Sequence, residues 1–431
     1  MMMLRDGLLV VALSWQCGAR HEYDRRQSEQ PEPEEIIVSR ELYLNVTDVA
    51  MADARMYWER VDTRCTARVT EAWPAHIQLS SLSSSSDKSV PRLCRVTLDT
   101  GETGVVVDSR RMAVMMMVDS VAYLKLPGNW LAFLNKAAYC RATRRRFFLW
   151  VGTLPKADLD ARHPVPWMRC VEKPGNTLNI HKAIAFLALF ASQRNLSRSG
   201  VLYLDADAWF SDLAFRQTVH PEEYFLESRA FIYGNQNKFG GPKIPMNGGI
   251  LAVRDSPSAR RFLALWWWSR CGKHDQLPLW ATMFATFSAA APLANFAVDA
   301  TLFAKYSNAH NEAIRSLAAA APRLRENLRD DAFDGGNFAK TGVLDRPLNL
   351  PGGVLVLPTA PIDRPLLGAA PRLPALRSDV NASAQTLCCH TRARINQGDG
   401  QCRGKDVCAH HKCAPFLSDH RARRVLNNDS R

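Results

Sequence analysis

Val201-Leu202-Tyr203-Leu204-Asp205-Ala206-Asp207-Ala208-Trp209-Phe210 is the stretch whose reading decides the fold. Four apolar, β-prone residues run into two carboxylates at i and i+2, and an aromatic pair follows. A continuous apolar run of this length is the mark of a strand covered on both faces. Such a strand places Asp205 and Asp207 at the carboxyl edge of a sheet, where open α/β folds bind their ligands. In a continuing strand the two side chains would point to opposite faces. A turn beginning at Asp205 instead lets both converge on one hard cation, as Mg²⁺ or Mn²⁺ requires to bridge a diphosphate. Read blandly, the same residues are a strand ending in a polar turn.

Outward from this stretch the chain alternates strand and helix. Upstream, Ala113–Val118 is an apolar run ending in Asp119-Ser120, and Trp130–Tyr139 has helical spacing. Phe147–Val151 reads as a second buried strand and Pro166–Val171 as a third. Asn179–Ala191 reads as a helix with Ile180, Ile184, Leu187 and Ala191 on one stripe. Downstream, Ala230–Tyr233 is a strand, Asn235–Asn247 a glycine-containing loop and Gly248–Val253 a strand. Ser256-Pro257 supplies an N-cap and first-turn proline for a helix through Trp268. His274-Asp275-Gln276 then precedes an apolar helix from Leu277, and Gly353–Leu357 is a late strand. The alternation predicts an α/β fold: a Rossmann-like mixed sheet flanked by helices, with a Cys-rich C-terminal extension.

With 431 residues, 47% of them hydrophobic and 23% charged, the chain has ample length for a large core. Its net charge of +13 invites a nucleic-acid reading. No zinc-finger, RRM or helix-turn-helix signature accompanies the charge, so no nucleic-acid partner is expected. Arg141, Arg144, Arg145 and Arg146 form the tight central basic cluster, read as solvated surface with some attraction for a phosphate-bearing ligand. Gly7–Trp15 is too short to span a bilayer and suits a signal peptide, with cleavage after Ala19; a short signal anchor, which would bring membrane association, is the other reading. Removing Cys17 with this leader leaves ten of the 11 cysteines, an even set expected mostly to pair in an oxidising lumen. Sequons at Asn45, Asn195, Asn381 and Asn428 fit a secreted glycoprotein. The organisation expected is a leader over 1–19, a stem or accessory region over 20–110 stapled by Cys65 and Cys94, a catalytic domain over 111–395, and a Cys-rich basic tail over 396–431.

The order of motifs resembles the nucleotide-sugar glycosyltransferases of fold type A (GT-A), and within them glycosyltransferase family 34, the retaining α-galactosyl/α-xylosyltransferases of the Golgi. The matching residues are Asn135-Lys136-Ala137-Ala138-Tyr139-Cys140, Lys182, Leu202–Ala208, Asn247–Arg254 and Asp275-Gln276, spanning Met112 to Phe284, with a looser match at His390. The chain departs from the pattern in the long segment between Gln276 and His390 and in its cysteine-rich tail.

The resemblance implies a Golgi-lumenal enzyme moving a sugar from a UDP-sugar to a glycan or glycoprotein acceptor with retention of configuration. Asp205 and Asp207 would hold Mn²⁺ (or Mg²⁺), with His390, at the end of Thr386–His390, completing the shell. Asp205, Lys182, Gly248, Gly249, Asp119 and Ser120 would face the donor nucleotide or its sugar, Asp119 and Ser120 near the uridine and Lys182 near phosphate. Asn247, Asp275 and Gln276 would lie at the reactive side of the sugar. Each has a plainer use: Asn247 in a loop entry, Asp275 as a helix N-terminal carboxylate, Lys182 as a solvated charge, His390 beside a disulfide. A haloacid-dehalogenase reading fails, since Trp209 stands where that motif wants Thr or Val and Arg403 where its distal Asp belongs. A non-catalytic secreted protein on a decayed transferase fold would not need both aspartates. A zinc site over Cys408–Cys413 competes with simple disulfides there. Donor sugar, acceptor, linkage and oligomeric state are not legible in the sequence.

Overall fold

The computed structural model describes residues 35–70, 76–80, 90–98, 107–155, 165–168, 178–193, 196, 199–206, 208–210, 221–222, 225, 228–235, 246–270, 275–290, 297–299, 348–357 and 388–390. The leader, the segments 301–347 and 358–387, and the basic tail with its Cys408–Cys413 cluster lie outside them. Among the described residues no helix is long and apolar enough to cross a membrane.

The strands are β1 (Glu35–Ile37), β2 (Thr66–Thr70), β3 (His76–Ser80), β4 (Arg92–Leu98), β5 (Ala113–Val118), β6 (Phe147–Val151), β7 (Val201–Leu204), β8 (Ala208–Phe210), β9 (Ile232–Asn235), β10 (Ile250–Val253), β11 (Ala297–Asp299), β12 (Leu348–Leu350), β13 (Val354–Leu357) and β14 (Cys388–His390). The helices are α1 (Arg40–Trp58), α2 (Val121–Leu124), α3 (Pro127–Ala142), α4 (His181–Ser192), α5 (Pro257–Trp268) and α6 (Gln276–Ala290). Ten strands form one mixed sheet in the order β12-β13-β9-β10-β7-β5-β6-β4-β2-β3. At its centre β7, β5 and β6 are mutually parallel, while β10 runs antiparallel to β7. The expected α/β sheet is therefore present.

Both faces of this sheet are covered, which is why its central strands read as unbroken apolar runs. Successive residues still alternate between two cores. Met115, Met117, Val201 and Tyr203 pack with α1, α4, α5 and α6 on one face. Val114, Met116, Leu202 and Leu204 pack with Trp130, Phe133 and Tyr139 of α3 on the other. The Ser256 cap is as expected: its hydroxyl accepts from the Ala259 N–H at 3.0 Å. Trp266 and Trp267 are buried, and Trp267 Nε1 donates to Asp53 Oδ2 at 3.0 Å, tying α5 to α1.

Four expectations need correction. Pro166–Val171 is no strand where described: Val165 and Met168 form an isolated bridge around a turn at Pro166-Trp167. A proline without an N–H starts that turn, and the buried Trp167 and Met168 account for the apolar signal. The α4 helix has no single apolar stripe, because His181–Phe190 are buried all round while Ala191 is exposed. Residues 20–110 are not a separate appendage throughout. The strands β2, β3 and β4 extend the main sheet through β4–β6 pairing, and α1 joins the core beside α5. Cys65 and Cys94 are disulfide-bonded, joining the residue before β2 to its parallel neighbour β4. Arg145 is not solvated: it is buried, pairs with Glu222 and donates to the Met112 carbonyl at 3.1 Å. Among the described cysteines Cys140 is free, and burial pushes its thiol well above the ordinary range, leaving it inert.

The α1–α6 contact carries a pH signature. Tyr43 Oη and Thr286 Oγ1 share a hydrogen bond at 3.0 Å in the core. Burial pushes the Tyr43 phenol up from 10.0 to about 12, against smaller opposing pulls from Thr286 and Arg261. A raised acid favours folding while protonated, so this contribution is complete below the unfolded value and lost as pH rises through the folded one. Between about pH 9 and pH 12 the wild type should lose about 2 kcal/mol more stability than Tyr43→Phe. Denaturant titrations across that range check it; parallel losses in the two proteins would refute it.

Candidate active site

Strand order creates the site before any side chain is considered. The chain leaves β5, crosses through α3 on one face and returns as β6, then crosses through α4 on the other face and returns as β7 on the far side of β5. Connections that diverge from adjacent parallel strands open a crevice at their carboxyl ends. Asp119-Ser120 ends β5, and Asp205 ends β7.

The antiparallel β10 aligns Ile250 with Leu204, which brings the preceding Asn247-Gly248-Gly249 turn against Asp205. The Asp205 N–H donates to the Gly249 carbonyl at 2.9 Å. Asp275 stands at the start of α6, where its carbonyl accepts the Leu279 N–H at 3.2 Å and Trp266 Nε1 at 2.9 Å. The α4 helix delivers Lys182 to the same point.

Lys182 Nζ joins these pieces. It donates to Asp275 Oδ2 at 2.8 Å and to the Gly248 carbonyl at 2.9 Å, and it lies 3.1 Å from Asp205 Oδ1. Its ammonium also sits 5.0 Å from the Tyr203 ring centroid, and the Tyr203 hydroxyl donates to Asp205 Oδ1 at 2.6 Å. Desolvation alone would push this buried ammonium down, but the two carboxylates outweigh it and hold Lys182 above its ordinary value. The cluster is thus a fixed cation between two anions. Asp205 Oδ1 is committed to Lys182 and Tyr203, and its side chain is 18% exposed.

Beside the ion pair, Asn247 Oδ1 accepts from the Gly249 N–H at 2.8 Å and from Gln276 Nε2 at 3.5 Å. Asn247, Gly248, Gly249, Lys182, Asp205, Asp275 and Gln276 therefore lie together. Lys182 is neither a surface charge nor open to a phosphate, since its ammonium is spent on carboxylates and a carbonyl. Asp119 and Ser120 are held locally: Ser120 Oγ donates to Asp119 Oδ1 at 3.0 Å and accepts from the Tyr123 N–H at 3.1 Å, capping α2.

Asp207 lies outside the described residues. His390 is placed by backbone register: β14 pairs antiparallel with β8, setting His390 opposite Ala208, the residue after Asp207. This brings the distal histidine back to the acidic turn across a long stretch of sequence. Among the described residues no group of three His, Cys, Asp or Glu side chains is placed to hold a metal ion.

Tyr203 is a further member of the site, and its signal lies in strand periodicity. Residues i and i+2 of a strand share a face, so Tyr203 and Asp205 are natural partners. Asn135 and Lys136 carry no legible task in the sequence; from α3, Lys136 reaches the acidic turn and Asn135 the Phe210 backbone of β8.

No protein-family model matches the chain, and no curated protein matches it. Among solved structures it is similar to a glycosyltransferase involved in the glycosylation of the major capsid of PBCV-1. That likeness covers 36% of this chain and 65% of the other, at 12% identity and a TM-score of 0.25.

Proposed function

We propose that this chain is a metal-dependent glycosyltransferase that moves a sugar from a UDP-sugar to a glycan or glycoprotein acceptor, with retention, in the Golgi lumen. The observation that supports it most is the meeting of Asp205, Lys182, Asp275 and Gly248 at the diverging carboxyl edge of the sheet. A crevice there accepts an elongated, charged ligand. Asp205 and Asp207 are the proposed seat of the ion, with His390 as third ligand from its register beside the turn. When bound, such an ion neutralises charge building on a departing diphosphate.

The chain's own groups then divide the work. Lys182 bridges Asp205 and Asp275 and holds them at fixed separation. Gly248, whose carbonyl also binds Lys182, leaves the floor beneath Asp275 without a side chain. Asn247 and Gln276, in mutual contact, are suited to orient the hydroxyls of a sugar beside Asp275. Asp275 is the negative group available to a developing oxocarbenium centre.

The test is UDP release by the full-length chain from a panel of UDP-sugars, with Mn²⁺ or with EDTA. Release from at least one donor, dependent on the ion, is the expected result. Absence of release from every donor would sink the transferase reading, and release undiminished by EDTA would remove the ion from it.

A further inference from the structure

We propose that Lys136 is a positioning residue that sets the geometry of the acidic turn from beneath, an inference that rests on the turn being the seat of the ion. Lys136 is fully buried in α3. Its ammonium donates to the Ala206 carbonyl at 3.5 Å, to its own helix at the Ala132 carbonyl at 3.4 Å, and to the Ala208 carbonyl. Ala206 and Ala208 flank Asp207 in the chain. The Ala206 carbonyl belongs to the peptide plane that carries the Asp207 N–H, so one ammonium grips the backbone on both sides of that residue. The Ala208 N–H closes the turn onto the Asp205 carbonyl at 3.0 Å.

Neighbours on α3 continue the grip. Asn135 Nδ2 donates to the Phe210 carbonyl at 2.9 Å, and its Oδ1 accepts the Phe210 N–H at 2.6 Å. The Tyr139 ring stacks on Phe210, centroids 3.6 Å apart. The backbones of Ala206, Ala208 and Phe210 are therefore all held by one helix.

The distinction to be tested is between holding the turn and merely filling the core. Lys136→Met keeps the length of the stem and removes the donors; Lys136→Gln keeps N–H donors on a shorter, neutral stem. Mn²⁺ binding to the full-length chain in the presence of UDP is read by the electron paramagnetic resonance of free Mn²⁺, and thermal melting is followed without ion. Groups that orient metal ligands from outside the shell are typically worth about 10- to 100-fold in affinity. Lys136→Met should fall in that range and Lys136→Gln between it and the wild type, in samples fully folded at the assay temperature. On an Asp205→Ala background Lys136→Met should add less than twofold, because its effect runs through the turn. Affinity within twofold of wild type in either folded variant overturns the proposal. So does failure of both variants to fold, which would make Lys136 a residue of the core. Absence of Mn²⁺–UDP binding in the wild type would instead count against the transferase reading.

Discussion

Lys182→Met should destabilise the protein by about 3–5 kcal/mol, because it removes one partner of a buried ion cluster and leaves the others uncompensated. Lys182 is almost completely enclosed, and its two carboxylate contacts, at 2.8 and 3.1 Å, are to Asp275 and Asp205. Asp275 is itself nearly buried, so water cannot readily replace the lost ammonium around it. The Gly248 carbonyl loses a donor at the same time. Methionine matches the stem in length, which keeps the packing term small and isolates the charge term. Denaturant titration at neutral pH measures it. A loss under about 1 kcal/mol would show that the carboxylates do not depend on Lys182. Lys182→Met combined with Asp275→Asn should recover part of the loss, since neutralising the stranded carboxylate removes most of what the single change exposed.

The same residue shows what the sequence could and could not reveal. Asn179–Ala191 reads as a helix, and His181–Ser192 forms one; Lys182 reads as a phosphate partner or a solvated helix charge, and it is buried. Nothing in the linear order says that this helix is buried on every side, and that burial turns a surface lysine into an internal bridge. Its partners lie 23 and 93 residues away, a pairing made by the β6–α4–β7 crossover and by the entry of α6. The buried strands Ala113–Val118 and Val201–Leu204 were plain because both faces are covered and every residue is apolar. Thr66–Thr70 and Arg92–Leu98 were not, because they mix buried Ala67, Val69, Leu93 and Cys94 with arginines and sit among turn-like sequence. Ser256-Pro257 was legible for a different reason: a cap is local chemistry and needs no tertiary partner.

Site residues divide along the same line. Asp205, Asn247, Gly248 and Asp275 were legible as an ordered set of weak motifs, and the sheet brings them together through one strand register and one helix start. Asp119 and Ser120 follow the end of β5, where Ser120 caps α2 and Asp119 accepts from the Ser120 hydroxyl. Asn135 and Lys136 carried no readable role, because a side chain that binds backbone carbonyls of another element leaves no pattern in either segment.

Gly248→Ala should lower turnover by about 100-fold while the protein still folds, the scale of loss that follows a misplacement of about 1 Å at a reacting group. A Cβ at Gly248 would lie 2.8 Å from Asp275 Oδ2, closer than carbon and oxygen tolerate. The oxygen it meets is the one that Lys182 holds at 2.8 Å. Asp275 cannot swing aside without breaking that ion pair, and Gly248 cannot retreat without releasing its own carbonyl from the same ammonium. Either adjustment moves the carboxylate proposed to face the sugar. Gly234→Ala is the informative control. Its Cβ would come within 2.7 Å of Met246 Cγ and 2.8 Å of Leu251 Cδ2, clashes that fall on aliphatic side chains of the core. Overpacking of that kind costs about 1–3 kcal/mol and is felt as stability. Turnover per folded molecule should therefore fall at least tenfold further in Gly248→Ala than in Gly234→Ala. Equal turnover in the two variants would mean that the position of Asp275 does not limit the reaction, and its assignment beside the sugar would have to be withdrawn.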